Sequence, residues 1–455
     1  MTYRMLPLFG VITGVTLSAC AQLGSNEETS ADLNTPVEIT EQVTLTDATP
    51  SPEKPRVSAA VGKTSFGRAV ATAVVSHPDL SSSNALIASA SADLESASGA
   101  FRPSVSVGAN LATSYNTSSD SFDDTSGPYL RISQLIYDGG AARHNKVAAQ
   151  ASTVKARDDR MVSASSTAMA AVEAYLNVLA AQDMLGLVRR NLGTHRKFLN
   201  QVEERRRLGA GSESDVLIIR ARLADAQTQV ADAENSLDQA RARYEETFGL
   251  VAGTLPRPPQ APTIDRTSEV AIYASPRMRA INSEYDVAVA RELQAKAERA
   301  PSIEFGSTAR QGNGGGADVK FDLSVNYSFD NRREAKAAID RATAEVARVT
   351  AERERLRRDI KRALDFLASD RTAGSKRLRT ARAAVAANRK TVDAALEEFT
   401  IGRRTLLEVL DAQRDYVRAQ QTKVEADREH ILTGYQALAL TGDIIDAFGI
   451  YLAEL

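Results

Sequence analysis

The chain has 455 residues and a net charge of −2, with 56 Lys and Arg against 58 Asp and Glu, so no basic excess exists to recruit nucleic acid. It holds no Trp, a single Cys and four His, which excludes a disulfide framework and leaves little from which to build a metal centre. Long tracts rich in Ala, Arg, Glu, Gln and Leu carry the compositional bias of long helices.

At the amino terminus, Arg4 precedes an apolar run from Met5 to Val15, and small residues follow. That order describes a secretory signal over residues 1–19, too short to span a bilayer as a helix. The tetrapeptide Leu17-Ser18-Ala19-Cys20 is similar to a bacterial lipobox, which implies cleavage before Cys20 and a lipid on its thiol. An ordinary signal peptide with an incidental cysteine fits the same residues. Ala21, where an aspartate would mark inner-membrane retention, is similar to lipoproteins sent to the outer membrane. Residues 20–65 are rich in Thr, Ser, Glu and Pro, as in Thr49-Pro50-Ser51-Pro52-Glu53-Lys54-Pro55. Lacking periodic apolar residues, they are expected to form a disordered tether.

Residues 66–260 read as one unit. Helical spacing over 66–98 gives way to a β-hairpin at about 101–138. In its first strand, 103–111, Val105, Val107, Ala109 and Leu111 share one face while Ser104, Ser106, Gly108 and Asn110 share the other. A polar loop over 114–127 leads into a second strand at 129–137. Helices over 141–208 and 212–248 follow, with few breakers.

Residues 261–455 repeat the order: a helix at 271–298, a hairpin at about 301–330, and helices at 332–401 and 405–440. The strands at 302–310 and 319–329 flank Gly312-Asn313-Gly314-Gly315-Gly316. Phe321, Leu323, Val325, Tyr327 and Phe329 alternate with Asp322, Ser324, Asn326 and Ser328. Such strands match the ~9–11 residues that cross a bilayer obliquely. A half-buried soluble sheet shows the same alternation, and the export signal favours the membrane.

At 1.5 Å per residue the two longest helices each run roughly 100 Å, far beyond a globular core. The shorter helices of each half sum to about one long helix, so they are expected end to end beside it. Hairpins then cap one end of a helical rod and two glycine turns close the other. Four strands cannot close a barrel and an open edge is forbidden in lipid, so membrane-crossing hairpins require several chains.

The halves are duplicates. Leu208-Gly209-Ala210-Gly211-Ser212-Glu213-Ser214-Asp215-Val216-Leu217 and Ile401-Gly402-Arg403-Arg404-Thr405-Leu406-Leu407-Glu408-Val409-Leu410 share the pattern apolar-Gly-x-x-Ser/Thr-x-x-acid-Val-Leu. Ser76-His77-Pro78-Asp79 and Phe101-Arg102-Pro103-Ser104 correspond to Ala274-Ser275-Pro276-Arg277 and Arg299-Ala300-Pro301-Ser302.

With these repeats, the segment Gln134-Leu135-Ile136-Tyr137-Asp138-Gly139-Gly140 and the run from Gly402 to Ala412, the chain resembles the TolC family of outer-membrane factors from Phe66 onward. The resemblance implies a mainly α fold with a small β part. Three copies would form a long α-helical barrel topped by a twelve-stranded transmembrane β-barrel, four strands per chain. It further implies a passive exit duct for efflux or type I secretion, set in the outer membrane of a Gram-negative bacterium and reaching into the periplasm. Its partners would be an adaptor protein, an inner-membrane pump and outer-membrane lipid.

Carried over by position, Glu408 and Asp411 resemble the carboxylates that ring the pore constriction. Gly209, Ser214, Asp215, Phe399, Gly402 and Arg404 resemble the turns and pins of the closed tip. Glu408 and Asp411 share a helix face, and threefold symmetry would gather six carboxylates that attract cations. Thr405-x-x-Glu408 is also a capping box, and Ser212-x-x-Asp215 a near equivalent, so these acids equally fit helix capping. Phe399 stands where the family's best-known member has a tyrosine, which removes a hydroxyl bond to Asp215. Tyr327-Ser328-Phe329-Asp330-Asn331-Arg332-Arg333 lacks the glycine pair of its counterpart.

His77, His144, His195 and His430 have no metal-ligand spacing, and neither a phosphate loop nor a nucleophile elbow occurs. No enzyme activity and no cofactor are expected. The competing reading is a lipid-anchored periplasmic coiled-coil scaffold without a pore.

Overall fold

The computed structural model describes residues 57–118, 120–124, 126–263, 268–311, 316–328 and 332–452. The signal segment, Cys20 and the tether up to residue 56 lie outside the described residues, as do 312–315, Phe329 and Asp330.

Helices α1 (Ser65–Ser76) and α2 (Pro78–Ser98) occupy the segment expected as one helix. The break falls at His77, which is extended (φ −70°, ψ 137°), because a proline disfavours helical backbone in the residue before it. Pro78 then takes the first turn of α2, where a missing N–H costs nothing. Strands β1 (Ser104–Asn110), β2 (Thr113–Asn116), β3 (Ser121–Asp124) and β4 (Gly127–Tyr137) follow, β2 and β3 forming a small hairpin inside the segment expected as a loop. Next come α3 (Ala141–Arg207) and α4 (Glu213–Phe248).

The second half repeats this with α5 (Ser268–Ala274), α6 (Pro276–Ala297), β5 (Ser302–Gln311), β6 (Ala317–Asn326), α7 (Arg332–Thr400) and α8 (Leu406–Thr441). The break before Pro276 matches the one before Pro78, a duplicated proline used alike in both halves. A short α9 (Asp443–Phe448), which the sequence does not signal, ends the described order.

Both expected hairpins form, and β4 pairs with β5, giving one antiparallel sheet in the order β1-β4-β5-β6. The register Val105↔Ile132, Leu130↔Ala309 and Phe305↔Leu323 gathers the apolar residues of all four strands on one face. That face is open: Val107 is 80% exposed, Phe321 68% and Leu323 66%. A soluble half-buried sheet would cover this surface with another layer, and no described element covers it. The opposite face carries Arg131, Glu304, Thr308, Arg310, Asp318 and Lys320. Among the described residues, strands β1 and β6 each leave one edge without a partner strand.

The helices lie side by side as one layer. Along α3, α2 and α4 pack one after the other on one flank and α6 and α8 on the other, while α7 flanks α6 and α8. The expected end-to-end placement of short helices beside long ones holds in both halves. Few α7 side chains are buried, among them Val349, Ile360, Leu378 and Ala395.

The main core gathers at the middle of α3. Phe66 stands edge-on to Tyr175 (centroids 4.7 Å apart), Tyr435 (5.7 Å) and Phe448 (5.6 Å), and each such buried ring adds roughly 1.5–3 kcal/mol. The Tyr175 hydroxyl donates to Pro256 O at 2.7 Å and the Tyr435 hydroxyl to Pro259 O at 3.0 Å, so one tyrosine from each half clasps the segment that joins the halves. Burial pushes the Tyr175 hydroxyl up to about 12 and raises that of Tyr435 as well. Residues 57–64, expected above as tether, belong to this core instead. Val57 and Val61 are buried, and Gly62 N–H donates to Ala447 O at 3.1 Å. Two apolar residues spaced four apart were too sparse a signal without the α9 surface they cover.

Candidate functional site

The two glycine motifs lie at the ends of α3 and α7, brought together by one apolar cluster: Phe198, Val202, Val216 and Ile219 from the first half with Ala395, Leu406, Val409 and Leu410 from the second. Each motif is a helix stop joined to a helix start. Gly209 (φ +79°) and Gly402 (φ +76°) adopt the left-handed conformation that glycine alone reaches without penalty. Gly209 N–H donates to Arg206 O (3.0 Å) and Ala210 N–H to Arg205 O (2.8 Å); Gly402 N–H donates to Phe399 O (3.0 Å) and Arg403 N–H to Glu398 O (2.9 Å). These are paired Schellman turns.

The next helix then opens with a capping box in each half. Asp215 N–H donates to Ser212 Oγ at 3.1 Å, and Ser212 N–H returns a bond to the Asp215 carboxylate at 3.4 Å. Glu408 N–H donates to Thr405 Oγ1 at 3.4 Å, while Glu408 Oε2 accepts from Thr405 N–H and Oγ1–H, both at 2.8 Å. The repeated Gly-x-x-Ser/Thr-x-x-acid pattern is therefore the code for a tight helix-to-helix reversal.

Glu408 caps its helix while its side chain remains exposed. The Thr405 backbone N–H, then the Thr405 hydroxyl and the Arg404 charge, hold its carboxyl below the usual glutamate range. Asp411, one turn further along α8, is half-buried and forms an ion pair with Arg414 Nη1 at 3.1 Å. Ser214 is exposed on the first turn of α4. Arg404 pairs with Glu398 at 3.0 Å inside its own turn, and among the described ion pairs none links Arg404 to Asp215. Phe399 contacts Arg205 instead: Arg205 Nη1 donates to Phe399 O at 3.0 Å, and its guanidinium lies 4.6 Å from the ring centroid. Sequence reasoning missed Arg205. The only signal was an arginine in the last turn of α3, one of three there in succession.

Above the tip, the buried side chains of Gln413 and Asn191 are joined by a 3.0 Å bond from Nε2 to Oδ1. Beside them a cleft of about 290 Å³ is lined by His195, Arg222, Asp225, Asp411 and Arg414. Burial, and then the Arg222 charge, lower the pKa of His195 and favour its neutral form. Among the described residues no group of His, Cys, Asp or Glu is placed to hold a metal ion, and no helix is long and apolar enough to cross a membrane.

Known proteins share this fold. The chain is 25% identical over 424 residues to the outer membrane efflux protein BepC of Brucella suis biovar 1 (strain 1330), covering 87% of this chain and 89% of that protein. Its fold is similar to the crystal structure of the outer membrane protein VceC from Vibrio cholerae (TM-score 0.73, 15% identity, 84% of this chain and 96% of that one). It is also similar to the Campylobacter jejuni CmeC outer membrane channel (TM-score 0.74, 14% identity, 84% and 85%). The open state of the Neisseria gonorrhoeae MtrE outer membrane channel is a further likeness (TM-score 0.71, 18% identity, 84% and 88%). The family model for outer membrane efflux proteins matches residues 69–249 and 268–440, spanning both repeats and both glycine turns. With its duplicated helices, its four-stranded sheet and its paired reversals, the chain belongs to the outer membrane efflux protein family.

Proposed function

We propose that three copies of this chain assemble into a passive exit duct, a twelve-stranded barrel in the outer membrane continued by an α-helical tunnel in the periplasm. The duct serves efflux or type I secretion together with an adaptor and an inner-membrane pump. The observation that carries this reading is the sheet: an uncovered apolar face combined with unpartnered edges at β1 and β6. An open edge in hydrocarbon costs several kcal/mol per unsatisfied group, so β6 of one copy must pair with β1 of the next. The single helical layer, open along α7 and along α2 and α4, joins its neighbours in the same way. A lipid on Cys20 adds an anchor.

Glu408 and Asp411 act as the constriction carboxylates, and the capping role of Glu408 is compatible with this because its side chain is exposed at the turn. The Arg205–Phe399 contact pins the closed tip. A scaffold without a pore has no use for the apolar sheet face.

Mass measurement in detergent tests the assembly, together with cysteine pairs placed on β1 and β6. Three chains per particle, with cross-links only between chains, is the expected result; a monomer with no cross-links refutes it.

A further inference from the structure

Where β4 runs into α3, the chain forms a cleft of about 570 Å³ whose lining includes Phe101, Ile136, Tyr137, Arg143, His144 and Lys146. Its rim continues the apolar sheet face. Past a register shift in β4 between Leu135 and Tyr137, Tyr137 pairs with Ile303 of the apolar face, and Phe101, Ile136 and Tyr137 are all exposed. Gln134 Nε2 donates to Phe101 O at 3.3 Å, tying the segment before β1 to β4. Gly139 (φ +69°) presses so closely on the end of α6 that a Cβ there would lie 2.3 Å from that of Ala300.

The cations on this rim are unexplained by the fold. Arg143 and Lys146 sit exposed at the N-terminal end of α3, where the helix dipole disfavours positive charge. No carboxylate lies within ion-pair distance of either among the described residues. Asp138 also lines the cleft, but its carboxylate is turned to the helix start, accepting from Gly140 N–H at 3.0 Å and Ala142 N–H at 2.6 Å to cap α3. The first turn of α3 contains no acid. Two cations held against a helix dipole, at the lower margin of an apolar aromatic face, complement an anion that carries apolar chains.

We infer that this cleft binds the phosphate headgroup of an anionic glycerophospholipid in the leaflet facing the helical body. Arg143 and Lys146 contact the phosphate, and the acyl chains run along Tyr137 and Ile132. The inference rests on the membrane reading of the sheet. The occupant belongs to that leaflet because the cleft lies at the end of the sheet from which α3 departs.

The test uses the full chain in vesicles of phosphatidylcholine with phosphatidylglycerol. Flotation shows whether the protein inserts, and native mass spectrometry during gradual delipidation counts the retained lipids. Wild type should retain phosphatidylglycerol over phosphatidylcholine by about fivefold or more, the worth of one basic residue beside an anionic surface. Arg143→Gln combined with Lys146→Gln should bring the two lipids to parity, while Arg143→Lys should keep the preference. Inserted wild-type protein that retains both lipids equally, or a double variant that retains phosphatidylglycerol like wild type, overturns the inference and leaves the membrane reading intact. Protein that does not float overturns both.

Discussion

Arg205 and Phe399, 194 residues apart, are joined twice: Arg205 Nη1 donates to the Phe399 carbonyl at 3.0 Å, and its guanidinium lies 4.6 Å from the centre of the Phe399 ring. The last turn of one long helix thus holds the last turn of its repeat. Phe399 offers no hydroxyl, and the ring face does the binding instead.

Removing this contact should loosen the tip. Arg205→Ala loses a cation–π contact and a charged hydrogen bond, together about 1–2 kcal/mol or roughly a 5- to 30-fold change in an opening equilibrium. Faster amide exchange at residues 399–403, with the exchange of residues 164–188 unchanged, is the expected outcome. Arg205→Lys should fall between, since an ammonium keeps the charge without the planar fork.

The glycine turns separate backbone strain from crowding. Gly209 and Gly402 have positive φ, and a Cβ added at either would meet nothing within 4 Å, so alanine at either should cost only about 1 kcal/mol. Gly139→Ala should cost well over that, because the new carbon meets Ala300 Cβ and the Ala297 carbonyl as well as an unfavourable φ. Thermal unfolding of the three variants checks the ranking.

Much of this was legible beforehand. The long helices show as uninterrupted apolar spacing, and the two reversals show because a left-handed stop and a capping box each demand a narrow set of residue types. Pairings between distant segments left no local trace. Val57 and Val61 covering α9, Arg205 on Phe399 and Asn191 bonded to Gln413 depend on surfaces that exist only after the helices pack. The break at Pro78 was legible in principle, since Pro at the start of a helix bars helical backbone just before it, but helical spacing on both sides hid it. The β2–β3 hairpin was hidden by its polar composition, and β4–β5 pairing by the long helices that separate those strands in sequence.

Glu408 predicts a shifted acid response. Its pKa is lowered by the Thr405 backbone and hydroxyl bonds, so its folded value lies below its unfolded one. Its contribution to stability is fully present above the ordinary glutamate value of 4.5 and is lost as pH falls through the lower folded value. In the unassembled chain, the stability difference between wild type and Glu408→Gln should persist below pH 4.5 before disappearing. A midpoint at or above 4.5 contradicts the capped geometry.

The two sheet faces should respond oppositely to charge. Leu323→Arg places a cation on the exposed apolar face and should weaken membrane assembly by about 2–4 kcal/mol if the position is near mid-bilayer. Ser324→Arg, one residue on and facing the other way, should leave assembly nearly unchanged. The fraction of folded protein recovered in membranes measures both.

Single-channel recording of the purified protein in a planar bilayer tests most directly whether this chain forms a conducting duct, comparing wild type with Glu408→Gln plus Asp411→Asn. Cation-selective openings in the wild type that lose their selectivity in the double variant are expected. Folded, bilayer-inserted protein that never conducts contradicts the duct and leaves the scaffold reading in its place.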